Sequence, residues 1–524
     1  MMTMMWKFPL PKMKMNQTVD QASREWVQLD NFGGSELHDR STPGSIVLLF
    51  CTLITFTLPL TTPIDSTVIA QPPSSSTALD ELSASLKEVT DQSRHSIVTI
   101  ARSVTPSNSA VVLPSDSQFN PSEFTTGIVI SNTGHILTAY HTLGQPDKNS
   151  YFIFGQPKTA ENASWIGEAS IHAADPWMDL AVLKIDGVDL VKTNVSKMDD
   201  QDLPSIAYML QASASYTTNH QFASQIIVLN ESRNIVNKAD PPNETKIANR
   251  YEHGGLLVAV PAARPASGNV VLDKNGSLLG ISTLRIPTSA FIPGAACIMP
   301  TDTTFVTALE SLIAGMPTNP PLLGISFENI KSTTNADTEL GVLVNRVGTA
   351  TPALFSGLKP SDRVIAINSI NVESNAHAQE LIARSFAGDK TSISVVRQGN
   401  ATIMLFNLTL AKRFNQHVQP PIASVDPYRF EGITVEFVTA SSPADFRRYA
   451  ADIPQSGAVL TDAVELDSPA WNAGIRAGML IATVNNKPCT SPFEFRQITE
   501  SLSDTPADLD VIQSGKRLTI SIQR

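Results

Sequence analysis

The chain has 524 residues, too many for one hydrophobic core, so about three modules of roughly 100 to 200 residues are expected. Hydrophobic residues make up 42% and charged residues 17%, with 27 Gly and 35 Pro, which excludes extended disorder and long coiled coil and suits short strands joined by turns. A formal net charge of -11 without any basic run excludes a phosphate-binding face and argues against a nucleic-acid partner.

Three cysteines, Cys51, Cys297 and Cys489, cannot build a disulfide framework, and the nine histidines show no close ligand spacing. No metal site and no cofactor are expected.

The first 70 residues read as a leader. Ile46 to Leu60, IVLLFCTLITFTLPL, is a run of fifteen residues without a charge, preceded by Arg40. That length fits a signal-peptide apolar region better than a spanning helix, which needs about 20 residues, and Val68-Ile69-Ala70 offers small residues for cleavage. Export is expected, with a membrane anchor if the leader is uncleaved. The start of the chain, with as many acids as bases before the run, keeps both a retained anchor and a misassigned start codon open.

Gln71 to Thr77, QPPSSST, is a linker, and Ala78 to Arg94 carries Leu79, Leu82, Leu86 and Val89 at helical spacing ahead of a strand over Ser96 to Ala101. From Phe124 to Met316 the runs GIVIS, HILTAY, DLAVLKI, QIIVL and LLGIST alternate with turn residues, an all-β pattern closed by a helix over Thr301 to Ala314. The polar stretch Asn230 to Arg250 reads as a long loop. The first module is therefore set at 78–316.

The rest is an internal repeat. Gly341-Val-Leu-Val with Thr351 to Asn368 matches Gly457-Ala-Val-Leu with Ser468 to Asn485, and each copy follows an apolar strand, LLGISFE or EGITVEF. This sets modules at 320–413 and 427–524, with Phe414 to Asp426 as a Pro-containing linker between them.

Three residues can do chemistry together. His141 ends GHILTAYH, Asp179 opens DLAVLKI after Ala174-Asp175-Pro176, and Ser267 lies in PASGN. Singly, each reads as a strand-end or turn residue. In the order His, Asp, Ser they supply what hydroxyl nucleophilicity needs: an imidazole to take the proton and a carboxylate to orient it. That order is the one of the chymotrypsin fold, and a GxSxG elbow is absent.

The three blocks TTGIVISNTGHILTAYH, ADPWMDLAVLKI and SGNVVLDKNGSLLGIST resemble those of HtrA/DegP-type serine proteases, and the repeats resemble the PDZ domains that follow them, over roughly residues 80 to 524. The resemblance implies a mainly β architecture: a chymotrypsin-like double β-barrel followed by two α+β PDZ domains. It implies that His141 is the general base, Asp179 its orienting carboxylate and Ser267 the nucleophile. It also implies a periplasmic or cell-envelope location and a homo-oligomer of three or more chains.

One departure falls on the nucleophile loop. The family pattern there is Gly-Asn-Ser-Gly-Gly-Pro, whose backbone amides bind the oxyanion, whereas this chain has Pro265-Ala266-Ser267-Gly268-Asn269. In an ungapped register Pro265 has no N–H to give; with one residue deleted, Ala266 would be the donor in a shortened loop. Losing one donor costs roughly 2.7 to 4 kcal/mol. Two readings follow: an endopeptidase degrading misfolded or unfolded exported proteins, and a catalytically impaired pseudoprotease acting as a PDZ scaffold or holdase.

PDZ domains accept an extended peptide as an added strand, and loop amides capture its terminal carboxylate. The corresponding residues are Leu323, Gly324 and Ile325 in the first copy and Gly432 and Ile433 in the second, where Glu431 would repel a carboxylate; unfolded or C-terminal peptide segments are the expected partners. Phe222, Ala223, Ser224, Leu284 and Ile286 are the candidates for an apolar specificity pocket.

Overall fold

The computed structural model describes residues 75–104, 113–115, 119, 121–157, 164–188, 190–198, 206–211, 223–232, 250–253, 255–259, 268–283, 296–330, 340–399, 402–414, 421–502 and 506–523. The chain divides into two compact units, Met1–Gln71 and Pro72–Arg524. The first, with the apolar run and Cys51, lies outside the described residues. Among those described, no helix is long and apolar enough to cross a membrane.

Helix α1 (Ser75–Ser93) buries Val89 and touches the body through a bond between the Ser85 and Tyr208 hydroxyls. Strands β1 (Ile97–Val104), β2 (Glu123–Val129), β3 (His135–Ala139), β4 (Asn149–Gly155), β5 (Ser164–Asp175) and β6 (Leu180–Lys184) close a barrel in the order β1-β2-β3-β6-β5-β4. A second barrel, β10-β11-β12-β9-β8-β7, is made by β7 (Ile206–Gln211), β8 (Ala223–Ser232), β9 (Leu256–Ala259), β10 (Val270–Leu272), β11 (Leu278–Thr283) and β12 (Ala296–Pro300).

The near-continuous apolar runs have a structural cause. Strand side chains alternate between faces. On the first barrel Val98, Ile100, Ile136 and Leu183 form one cluster, while Ile97, Ile128, Leu137 and Val182 join Tyr208, Leu210, Val270 and Ile281 of the second barrel. The second barrel packs its other parity in a cluster of its own, with Met209, Ile227, Val271 and Ile298. Both faces are dry, so HILTA and LLGIST are buried throughout and polar alternation disappears. Helix α2 (Thr303–Ile313), N-capped by the Asp302 carboxylate, covers this seam with Phe305, Ala308 and Leu312.

The two C-terminal modules repeat one sheet path, and among the described residues the β13–β20 pair belongs to the first alone. The first has β13 (Pro321–Leu322), β14 (Ile325–Asn329), β15 (Val342–Val347), α3 (Pro352–Ser356), β16 (Arg363–Ile367), β17 (Ile370–Asn371), α4 (Asn375–Ala383), β18 (Lys390–Val396), β19 (Ile403–Thr409) and β20 (Ala411–Lys412). The second has β21 (Ile433–Phe437), α5 (Pro443–Tyr449), β22 (Val459–Val464), α6 (Pro469–Asn472), β23 (Leu480–Val484), β24 (Lys487–Pro488), α7 (Pro492–Glu500), β25 (Ala507–Gln513) and β26 (Lys516–Ile522). Sheet orders β14-β15-β16-β18-β19 and β21-β22-β23-β25-β26 coincide, with β14 and β21 at the edges. Asn368 and Asn485 clamp the same turn, each accepting an amide on its side chain, from Ser392 and Asp508.

The structure departs from the sequence reading in four places. HILTAY ends as a strand at Ala139, and Tyr140–Leu143 is a 3-10 turn. Strand β8 carries Asn230 to Ser232, where a loop was expected, and residues 233–249 of that stretch lie outside the described residues. Helix α5, between β21 and β22, was not read from the sequence; the corresponding residues 331–339 of the first copy lie outside the described residues, and Phe446 and Tyr449 of α5 are half-buried against the core of their module. The inter-module linker is also a structural strand partner: Ile422 and Ala174 exchange two backbone hydrogen bonds of 2.9 Å, and Ser424 donates to the Gly315 carbonyl.

Candidate active site

His141 and Asp179 are brought together by the β3–β6 pairing, which sets Ala139 opposite Leu180. The 3-10 turn after β3 then presents His141 to the residue just before β6. Asp179 holds φ 54, a left-handed conformation uncommon for a residue with a side chain. Its carbonyl accepts from the Tyr140 amide at 2.9 Å, and its Oδ1 accepts from the His141 amide at 3.0 Å. The His141 ring Nδ1 lies 2.8 Å from Asp179 Oδ2. The carboxylate is fully buried, the imidazole 18% exposed. This is the geometry in which a carboxylate fixes the tautomer and orientation of an imidazole.

Thr283, at the end of β11, donates its hydroxyl to Asp179 Oδ2 at 2.7 Å, so the second barrel reaches across to the first. The sequence reading missed this residue. Its only signal is position, as the last residue of the strand paired with the nucleophile stem.

Ser267, Pro265 and Ala266 lie outside the described residues, as do Phe222, Leu284 and Ile286. The stem that follows Ser267 is described. Gly268 donates to the Ser282 carbonyl at 2.9 Å and Asn269 donates to the Ser282 hydroxyl at 2.9 Å, one residue from Thr283. Gly268 has φ +77, and a methyl there would meet Thr125 Oγ1 at 2.5 Å and Thr138 Oγ1 at 3.5 Å. Thr138 is on β3, three residues before His141. Ala223 and Ser224 are on β8, paired with Gln211 and Leu210.

The segment before Asp179 is gripped on several sides. Asp175 is buried and accepts the amides of Trp177 and Met178 and both the amide and hydroxyl of Thr318. Burial pushes its pKa up to about 6 against those hydrogen bonds. The Trp177 carbonyl accepts from the Arg250 amide, and the buried Arg250 guanidinium pairs with Asp302.

In the first C-terminal module, Leu323, Gly324 and Ile325 line a cavity of about 200 Å³ with Phe327 on the strand side and Gln379 and Ile382 of α4 opposite. Trp177 and Arg413 complete the wall, and neither was legible as a groove residue in the sequence. Gly324 has φ +88, and its carbonyl accepts from Gly348. In the second module Gly432 has φ +91 and the corresponding bond comes from Glu465. There, however, the Ile433 amide donates to the Phe430 carbonyl at 2.8 Å and the Phe430 amide donates back to the Ile433 carbonyl at 2.9 Å.

Cys297 and Cys489 are buried free thiols, and burial raises their pKa values to about 11 and about 12.

Comparison with known proteins agrees with this arrangement. A trypsin-like peptidase domain family matches residues 125–281, and a PDZ domain family matches residues 321–408. A probable periplasmic serine endoprotease, DegP-like, of Pseudomonas fluorescens is 22% identical over 413 residues, covering 78% of this chain and 80% of that protein. Its namesake from Chlamydia trachomatis is 24% identical over 382 residues, covering 72% of this chain and 69% of that protein. The solved structure of the HtrA-type protease AlgW with decapeptide superposes with a TM-score of 0.43 at 18% identity, over 63% of this chain and 98% of that one. Two barrels meeting at a His–Asp pair, a trypsin-like peptidase match across them, a PDZ match on the first C-terminal module and DegP-like relatives together support a serine endopeptidase similar to the HtrA/DegP-type, PDZ-containing proteases.

Proposed function

We propose that the chain is an exported endopeptidase that cleaves unfolded or misfolded proteins with a triad of His141, Asp179 and Ser267, and that modules 320–413 and 427–524 follow the 78–316 protease domain and hold peptide segments. The observation that carries this reading is the 2.8 Å contact between His141 Nδ1 and the buried Asp179 carboxylate. With Nδ1 committed to the carboxylate, Nε2 is the nitrogen that takes the proton of the Ser267 hydroxyl as its oxygen attacks the peptide carbonyl. The same nitrogen then delivers that proton to the leaving amine. Asp179 stays ionised and stabilises the imidazolium, with Thr283 donating to the same Oδ2 that faces the ring and the His141 amide donating to Oδ1. The Gly268–Ser282 bonds support a Ser267 loop anchored one residue from Thr283.

Pro265 favours the second reading, a non-catalytic PDZ scaffold, in the ungapped register, where it removes an amide from the position at which the family binds the oxyanion; with one residue deleted, Ala266 would donate instead. The periplasmic naming of the relatives supports export, and the apolar run at 46–60 serves as signal or anchor. By the same kinship the chain assembles as a homo-oligomer. Incubating the mature chain with unfolded casein beside Ser267→Ala decides between the readings. Cleavage lost in the variant supports the endopeptidase; an uncleaved casein with retained peptide binding supports the scaffold.

A further inference from the structure

The two C-terminal modules share a frame that allows position-by-position comparison. Ser374 and Ser491 each cap a nine-residue helix by accepting the amide three residues on, from His377 and Glu494. Counting from these caps, Gln379 corresponds to Arg496 and Ile382 to Thr499. Gln379 and Ile382 line the groove of the first module. In the second module both corresponding positions meet one residue, Tyr428: its hydroxyl is hydrogen-bonded with the buried Thr499 Oγ1 at 2.9 Å, and the guanidinium of Arg496, exposed and paired with Glu500, lies 5.1 Å from its ring centroid. Two residues on, Phe430 is buried edge-to-face on Phe495, with ring centroids 6.0 Å apart, and holds both backbone hydrogen bonds of Ile433, the first residue of edge strand β21. The first module does not do this. Its corresponding residue, Leu322, is drawn instead to Ala411 by the β13–β20 pair.

We infer that the groove of the second module is a site for internal, tyrosine-bearing segments, occupied at rest by residues 428–430 of this chain. The inference rests on the reading of that module as a peptide-binding PDZ domain. The chemistry of the groove selects this ligand. Arg496 presents a cation to an aromatic face, Thr499 takes a phenolic hydroxyl, and Phe430 closes the strand end where a terminal residue would be received. Glu431 stands where Leu323 stands in the first module, and its carboxylate repels a chain terminus. Phe430 is core and stays; Tyr428, half-buried, is the part that an external tyrosine displaces. A tethered occupant acts at about millimolar effective concentration, so the site stays shut to weaker competitors.

The test uses the full-length mature chain and fluorescence anisotropy of a labelled, C-terminally amidated peptide, Ser-Val-Asp-Pro-Tyr-Arg-Phe, which copies residues 424–430. Wild type is expected to bind it weakly, Tyr428→Ala at least tenfold more tightly, and Tyr428→Ala with Arg496→Glu no better than wild type. Tyr428→Phe keeps the ring and loses one hydrogen bond of about 1 kcal/mol, so its gain is expected at about fivefold. Equal binding by wild type and Tyr428→Ala, or a gain that survives Arg496→Glu, overturns the inference. A second peptide with a free hydrophobic C-terminus reports on the first module. If no chain binds it while Tyr428→Ala still gains the amidated peptide, the reading of the first module falls and this inference stands.

Discussion

Asp179 adopts a backbone conformation that costs about 1 kcal/mol or more, and it is held there by the amides of Tyr140 and His141 and, from the second barrel, by the Thr283 hydroxyl. Replacing Asp179 by Asn keeps the shape and presents the wrong tautomer of the imidazole. Turnover of casein is expected to fall by about 10⁴ with KM little changed. Thr283→Val leaves the buried carboxylate one bond short, and a hydrogen bond to a charged group is worth about 1.5 to 3 kcal/mol, so kcat/KM is expected to fall roughly ten- to a hundredfold. Asp175, four residues upstream, carries a pH dependence of stability. Its folded pKa of about 6 lies above its ordinary 3.8, so its stabilising share is full below pH 3.8 and is lost as pH rises through 6. Thermal unfolding of wild type and Asp175→Asn between pH 4 and 7 is expected to show a decline of about 1 to 3 kcal/mol in wild type that the variant lacks. At this scale His141 and Asp179 were legible because their order is chemical. Thr283 was not, because a bond spanning 104 residues leaves no local pattern.

The elements show which sequence signals survive folding. LLGIST became a strand at its expected limits because burial on both faces demands apolar residues at nearly every step. The repeat survived because each copy needs the same turns: Ser361 and Gly478 occupy one positive-φ position, Gly324 and Gly432 another. A methyl on Gly324 would sit 2.2 Å from Thr351 Cβ, and φ +88 disfavours any side chain there. Gly324→Ala is expected to destabilise the first module by more than about 1 kcal/mol and abolish its binding of free C-termini, which urea unfolding and anisotropy measure. Helix α5 escaped the sequence reading because only Phe446 and Tyr449 of its seven residues pack, half-buried, on the core, too few to announce a period. The 3-10 turn bearing His141 escaped for the opposite reason: Tyr140, Thr142 and Leu143 are buried like the strand before them.

At the scale of the whole molecule, the C-terminal modules are fastened to the segment that carries Asp179. The inter-module linker bonds Ala174, the stretch before β13 bonds Asp175 through Thr318, and Arg413 lies 5.9 Å from the Trp177 ring centroid. Ile422→Pro removes the amide given to the Ala174 carbonyl. Hydrogen exchange across Ala174 to Met178 is expected to quicken at least severalfold, with slower exchange or no change contradicting the clip. The module order was legible from composition and repeat, but this fastening was not, since backbone bonds at Ile422 place no demand on residue type. Whether the two barrels meet in one activated nucleophile is tested most directly with a fluorophosphonate probe and intact-mass analysis. Wild type is expected to gain one label on Ser267, and both Ser267→Ala and His141→Ala to gain none. A wild-type chain that stays unlabelled, or a label that persists without His141, would contradict the triad.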